Sequence, residues 1–534
     1  MLIVNPFESL VAARLQEFFD VRAPWHRRLW ATGLILTLRE VLEAGEMVAA
    51  KVLFQNSVRA LADTAIVLAG TDPAVVSDDP GVGTPAYKRK LHKLLLSDLV
   101  SGSIEYLELH QITKDLESRY LQNWSIAIGE HATGTRSLKP ERTARAIGAH
   151  LLDMGLSAEF LYGWFRYAIR KNPTPQTLAE IVVDAHVMAQ QLPREFEVLI
   201  VFREFPANAA GMPGGWITAP EVTAFFNEGG YPTEGIRQMG GMWIKVSARD
   251  PWSAVQAVAE TIDRFSSRVQ LATSGQLIPL PDVYVKMPAK SYPLRQKRRR
   301  VEVEALFRES QLYSIGKVVS RVDSAIELLS PLDSSTPSTA VAGGWAAIEA
   351  ILTAPGDEDR LQAGYRLANL VTASFPRAEL TALSYKLQKL GGPLATTLGA
   401  CATNRDRAVA VLNHLRGGAP LTVTDAADLA ALERMREVLR EPQKRLHDIS
   451  THLSTVFRGF YRNRNIVLHG GKTDAVGLRS SLRNAAPLVG AGMDRIAHAW
   501  FVEGLQPVEI AARANVRIAT VGAPDAPGIV DLLN

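Results

Sequence analysis

Apolar residues recur at three- and four-residue steps through most of this chain, and one block between residues 194 and 288 breaks the rhythm. That spacing places apolar side chains on one face of an α-helix, so a chain built this way must pack helix on helix. SLVAARLQEFF, LWATGLILTLREVLEAGEMVAAKVLF, RALADTAIVLA and PERTARAIGAHLLDMGLSAEFLYGWFRYAIR carry the pattern through residues 1–192. Turn formers interrupt it at GTDPAVVSDDPGVGTP and KNPTPQ. A first, all-helical domain is expected there.

The run FEVLIVFREF after Pro193 is short and rich in β-branched and aromatic residues, which suits a buried strand. MWIKVSA and DVYVKMP read as two more strands, separated by the helical PWSAVQAVAETIDRFSSRVQLA. Strand, helix and strand at this spacing predict a small α+β domain over 193–290 with a mixed sheet. PANAAGMPGGWITAPEVTAFFNEGGYPTEGIRQMGG, between the first two strands, reads as a long loop. Its glycines are weak evidence for a phosphate site, because neither GxxxxGK[ST] nor GxGxxG is present.

A basic linker over 291–302 follows. Counting from Lys286, seven lysines and arginines pass before Glu302, ending in Arg298, Arg299 and Arg300. It reads either as a solvated linker or, beside a nucleic-acid site, as a surface on which those three arginines contact RNA phosphates. From 303 to 534 the helical rhythm returns in SIGKVVSRVDSAIELLS, TAVAGGWAAIEAILTA, EDRLQAGYRLANLVTASF and several later stretches, which predicts a C-terminal helical bundle. The expected fold is therefore mainly α.

A length of 534 residues exceeds what one core usually organises, so two to four domains are expected. The net charge of +4 permits an acidic partner without demanding one, so any nucleic-acid case must rest on a local site. The single cysteine, Cys401, excludes an intrachain disulfide and a cysteine-built zinc cluster. Glu8, Arg14 and Glu17 interrupt the N-terminal apolar run, which therefore fails as a signal peptide. No segment reaches the ~18 apolar residues of a membrane span. A cytoplasmic protein with no membrane attachment and no cofactor is expected.

The chemistry-bearing stretch is GFYRNRNIVLHGG, residues 459–471. A helix starting near Pro442 must stop at the adjacent Gly470 and Gly471, which leaves His469 in its last turn. The helix dipole favours a cation there, and imidazole can give or take a proton near neutrality. Arg462 lies seven positions back, on nearly the same face; Arg464 lies five back, about 140° round by the ~100° step of an α-helix, an angle a long guanidinium can span. Arginine and histidine with no carboxylate or metal-ligand set suit cleavage of an RNA phosphodiester. The 2′-hydroxyl is the nucleophile, histidine moves protons and arginine neutralises the phosphorane. Asn465 can orient either partner.

RNIVLH resembles the signature of the HEPN superfamily, an arginine and a histidine with four to six residues between them. The surroundings resemble the Apea-like HEPN group: GGWAAIEAILTA looks like its early bundle helix, GYRLANLVT like the next, and FYRNRNIVLHGG like the end of its motif helix. The resemblance covers about 310–505 and implies a HEPN-type helical bundle that dimerises so that two motifs face one cleft. It further implies a metal-independent endoribonuclease of toxin or antiviral-defence type. By position, Arg464, Asn465 and His469 would be catalytic. Arg462, followed by Asn463, also meets the looser spacing, and Glu349 on the early helix either orients a motif arginine or is a half-exposed surface residue. The N-terminal 290 residues would hold regulation, such as a site for a phage or host trigger. The alternative is a non-catalytic HEPN module that binds RNA or a protein partner.

Three other features carry weaker signals. His447 and His452 are five apart, the wrong step for two metal ligands on one helical face. PVEIAARANVRIATVG suggests a helix-turn-helix with its turn at Asn515, but the second helix is too short to read a major groove. APWHRRLW, residues 23–30, can stack and clamp nucleotides, or can be a helix start with buried tryptophans.

Overall fold

The structure is a computed structural model that describes residues 5–534 except 78, 80, 172, 173, 175, 207–210, 233–236, 274, 287, 288, 295–298, 315, 317, 419, 420 and 422. Helices dominate it, and a five-stranded sheet is the only sheet among the described residues. One hydrophobic cluster runs from Phe7 to Ala189, is interrupted, and resumes from Val322 to Leu533. The two helical stretches, expected on either side of the α+β segment, thus bury their apolar stripes against each other. The helix Pro6–Phe19, for example, packs on both Pro140–Asp153 and Ala426–Arg440.

Charge crosses the same junction. Arg27 Nε donates to Glu379 at 2.8 Å and its Nη1 to Asp428 at 2.8 Å, while Arg434 reaches the other Glu379 oxygen at 2.9 Å. Burial alone would raise the Glu379 carboxyl; Arg434, His26 and Arg27 overcome that and hold it at about 2. In APWHRRLW, Trp25–Arg27 is a single 3-10 turn, and Trp30 is buried with its ring edge against Phe375. The buried-tryptophan reading describes Trp30, whereas Trp25 is only half-buried.

The α+β segment has separate cores. Its strands are β1 Arg194–Glu204, β2 Trp216–Thr218, β3 Gly240–Ala248, β4 Ile278–Val285 and β5 Lys290–Pro293, in the order β2-β3-β1-β4-β5. Alternate residues of β1 bury both faces. Phe196, Val198, Ile200 and Phe202 pack on the helix Pro251–Ala272; Leu199 and Val201 pack with Val222 and Phe226 of Ala219–Gly229. The mixed sheet expected from strand, helix and strand is not found, because every pairing is antiparallel. The 251–272 helix does join two strands that run the same way, but β1 lies between them. The expected long loop also contains β2 and the 219–229 helix, which starts at a capping box formed by Thr218 and Glu221. Part of the expected linker is β5.

Asp250 fastens this segment to the helical body. Fully buried, it accepts from Ser157 N at 2.8 Å, Ser157 Oγ at 2.7 Å and Ser253 N at 2.9 Å, so a desolvated carboxylate has its hydrogen bonds. Across the same junction Arg479 pairs with Glu260 at 2.7 Å.

Candidate functional site

The helix Pro442–Gly470 buries Leu446, Leu453, Phe457, Phe460 and Ile466 along one stripe. It packs against Pro337–Leu352, Leu361–Leu390 and Leu478–His498. The three segments singled out by resemblance meet here. Trp345 is edge-on to Phe460 at 6.1 Å and lies 4.8 Å from the Tyr461 ring. Gly364 permits that approach, since a Cβ there would lie 3.1 Å from Trp345 and 3.3 Å from Phe457. The helix ends as its sequence dictates: Gly471 takes φ 64°, a left-handed cap that disfavours a side chain, and its N–H returns to Ile466 O.

At that end Arg464 Nη1 donates to Asn465 Oδ1 at 3.0 Å and lies 3.3 Å from His469 Nε2. Guanidinium has only donors, so in this contact Nε2 accepts and the imidazole proton sits on Nδ1. His469 is exposed, and Arg464 and Asn465 are half-buried, so the group is open to a ligand. The structure therefore brings Arg464, Asn465 and His469 together despite the angle between them on a helical wheel, because the long arginine side chain reaches along the helix.

Arg462 is placed differently. Its Nη2 donates to Glu40 at 2.5 Å, and Glu40 belongs to the helix Leu34–Ala49 of the N-terminal stretch. Burial raises the Glu40 carboxyl, and the charge and hydrogen bond of Arg462 only partly offset this. One turn along, Glu43 accepts from Lys472 Nζ at 2.7 Å and from Val476 N at 3.1 Å. The bond to Glu43 raises the Lys472 ammonium. Asn463 is buried; its amide donates to Gly459 O at 3.0 Å, and its Oδ1 has no partner.

No protein-family model, curated protein or solved structure matches this chain.

Other expected site residues lie elsewhere. Glu349 accepts the Trp345 indole N–H at 2.8 Å and lies 3.7 Å from Arg360; no motif arginine is among these partners, and of its two readings the half-exposed helix residue describes it. Arg298 lies outside the described residues. Arg299 donates to Leu332 O and Ser335 O, each at 3.0 Å, closing the end of the helix Arg321–Ser334. Arg300 grips Glu302 with two donors, at 3.0 and 3.2 Å. Both guanidiniums are engaged within the protein, which departs from a solvated phosphate-steering surface: carbonyls at a helix end need donors, which Arg299 supplies, and Arg300 is held by the carboxylate of Glu302. One continuous helix, Pro507–Thr520, carries Asn515 in its interior, so the expected turn at that residue is not found.

Among the described residues no three His, Cys, Asp or Glu side chains are arranged to hold a metal ion, and no helix is long and apolar enough to cross a membrane. Sequence reasoning missed Glu40, Glu43 and Lys472. The available signal was two acids three apart inside the apolar run LILTLREVLEAGE, which had to find partners if buried. Nothing in the sequence named those partners.

Proposed function

We propose that residues 303–534 form a HEPN-type endoribonuclease that cleaves RNA without metal, as an effector of toxin or antiviral-defence type acting in the cytoplasm. The observation that supports it is the placement of Arg464 between Asn465 and His469 at an open helix end. In the reaction the 2′-oxygen bonds to phosphorus and the P–O5′ bond breaks. The products are a 2′,3′-cyclic phosphate and a 5′-hydroxyl. Arg464 neutralises charge on the phosphorane, Asn465 positions the phosphate, and His469 takes a proton from the 2′-hydroxyl or delivers one to the 5′-oxygen. Each transfer needs Nε2 free, so Arg464 must turn from His469 to the phosphate when RNA enters. Because one motif supplies one histidine, two copies in a homodimer would share the two proton transfers across one cleft.

The test is RNA cleavage by purified full-length protein in EDTA, with the product ends identified by mass spectrometry. Wild type is expected to give cyclic-phosphate ends, with Arg464→Ala and His469→Ala inactive at unchanged melting temperature. Cleavage that survives both substitutions refutes the assignment. RNA binding without cleavage by wild type would instead make the bundle a non-catalytic module.

A further inference from the structure

A second place in the molecule is built around positive charge. A cavity of about 350 Å³ opens where the 3-10 turn Trp25–Arg27 meets the 300–308 segment and the helices Leu361–Leu390 and Leu478–His498. It shares no lining residue with the His469 cluster. Arg22, Arg28, Arg300, Arg308, Arg377 and Arg495 line it, against the carboxylates of Glu302, Glu304 and Asp494. Much of the acid is already committed: Glu302 is gripped by Arg300, and Asp494 accepts from Ala305 N at 2.7 Å and from Arg495 at 3.1 Å.

Arg28 and Arg377 are less closely neutralised. Arg28 has no carboxylate within ion-pair distance among the described residues, and its donors go to the carbonyls of Ala23 and Val21. Arg377 donates to Val530 O at 2.8 Å and Asn534 Oδ1 at 2.7 Å, with Asp531 more distant at 3.6 Å. Burial, with Arg300 beside the first and Arg495 beside the second, pulls both guanidiniums down to about 10. A cation held in a field of like charge is stabilised by an anion, and guanidinium forks match phosphate oxygens.

The uncharged wall supplies a second observation. His26 lines the cavity at 7% exposure, and neither ring nitrogen has a hydrogen-bond partner. Leaving such a group unpaired is costly, and a ligand hydroxyl or amide would satisfy it. Trp25, half-buried, lines the same wall and offers an aromatic surface. The volume lies within the ~300–1,000 Å³ range of small-molecule pockets, so the fit is to a single nucleotide and not to a strand of RNA.

We propose that this cavity binds a nucleotide, with its phosphates on Arg28, Arg377 and Arg495, the exposed Arg22 adding its charge to the same phosphates, and its base beside Trp25 and His26. The walls come from both helical stretches, so occupancy would be felt at the junction that also carries the Glu40–Arg462 contact.

The experiment is calorimetric titration of full-length protein with ATP and UTP, and with inorganic triphosphate as the base-free probe. At least one nucleotide is expected to bind about tenfold or more tightly than triphosphate, a difference of ~1.4 kcal/mol. Arg22→Glu with Arg495→Glu should weaken it about tenfold or more while circular dichroism and melting temperature stay as in wild type. If that pair fails to fold, Arg22→Glu alone, on an exposed side chain, should still weaken binding several-fold. His469→Ala should bind as wild type does, which separates this proposal from the nuclease reading. No binding of either nucleotide, equal binding of triphosphate, or unchanged affinity in a folded arginine variant each overturns the proposal.

Discussion

Two Arg-Asn pairs stand two residues apart on one helix and have opposite surroundings. Arg462 and Asn463 face inward, the first tied to buried Glu40 and the second buried against its own helix. Arg464 and Asn465 face the open end, beside exposed His469. A shift of two residues turns the helix by ~200°, so neighbours in sequence become a structural pair and a candidate catalytic pair. Identical chemistry is thus assigned different work by what lies opposite.

The largest effect that can break this comparison is on catalysis. Arg464→Ala and His469→Ala are each expected to lower RNA cleavage by about 10²–10⁴-fold, with stability within about 0.5 kcal/mol of wild type. Chemical denaturation and cleavage rates on the same preparations check this. Equal loss of activity from Arg462→Ala and Arg464→Ala, with both still folded, would erase the distinction.

Stability should report the inward pair. Arg462→Ala leaves the Glu40 carboxylate buried without its partner and is expected to cost about 3–5 kcal/mol. Replacing both residues by methionine should recover most of that loss, because an apolar pair needs no desolvated charge. Urea unfolding of the single and double variants measures the difference.

Acid should act through the buried histidines. Burial lowers the His26 imidazole to about 4 and that of His150 to about 3. Above the ordinary value of ~6.5 both folded and unfolded chains hold these rings neutral, so neither ring makes stability depend on pH. Below it the unfolded chain takes up protons that the folded chain refuses, so stability falls as pH drops from ~6.5 toward 4. Each ring contributes up to about 1.4 kcal/mol per pH unit. Unfolding at stepped pH checks the slope, which His150→Gln should reduce by about one proton.

The smallest effect belongs to the cap. Gly471→Ala places a side chain at φ 64° and should cost about 1 kcal/mol, read from thermal unfolding. A larger loss of cleavage than of stability would show that the helix end positions His469.

The helices and the stop at Gly470 and Gly471 could be read in advance, because hydrophobic spacing and glycine punctuation act within a few residues. The strand FEVLIVFREF was legible for the same reason. The antiparallel sheet was not, since a strand's neighbour is chosen by a pairing across many residues, and β1 inserts between the two strands that the 251–272 helix joins. Arg464, Asn465 and His469 were legible because they share one helix end. Between its two readings Glu349 could not be decided from spacing, and its partner Trp345 lies one turn back on the same helix; Arg299 of the basic run is claimed by the carbonyls of Leu332 and Ser335 from farther along the chain.

The sequence by itself determined a mainly helical chain, a strand-bearing insert and a histidine at a helix terminus, all consequences of local spacing. Only the tertiary structure decided that the two helical stretches share one core and that Glu40 claims Arg462. It also gathered six arginines, from four separate parts of the chain, around one cavity. Those outcomes depend on which desolvated charges meet across hundreds of residues, and side-chain spacing carries no record of that.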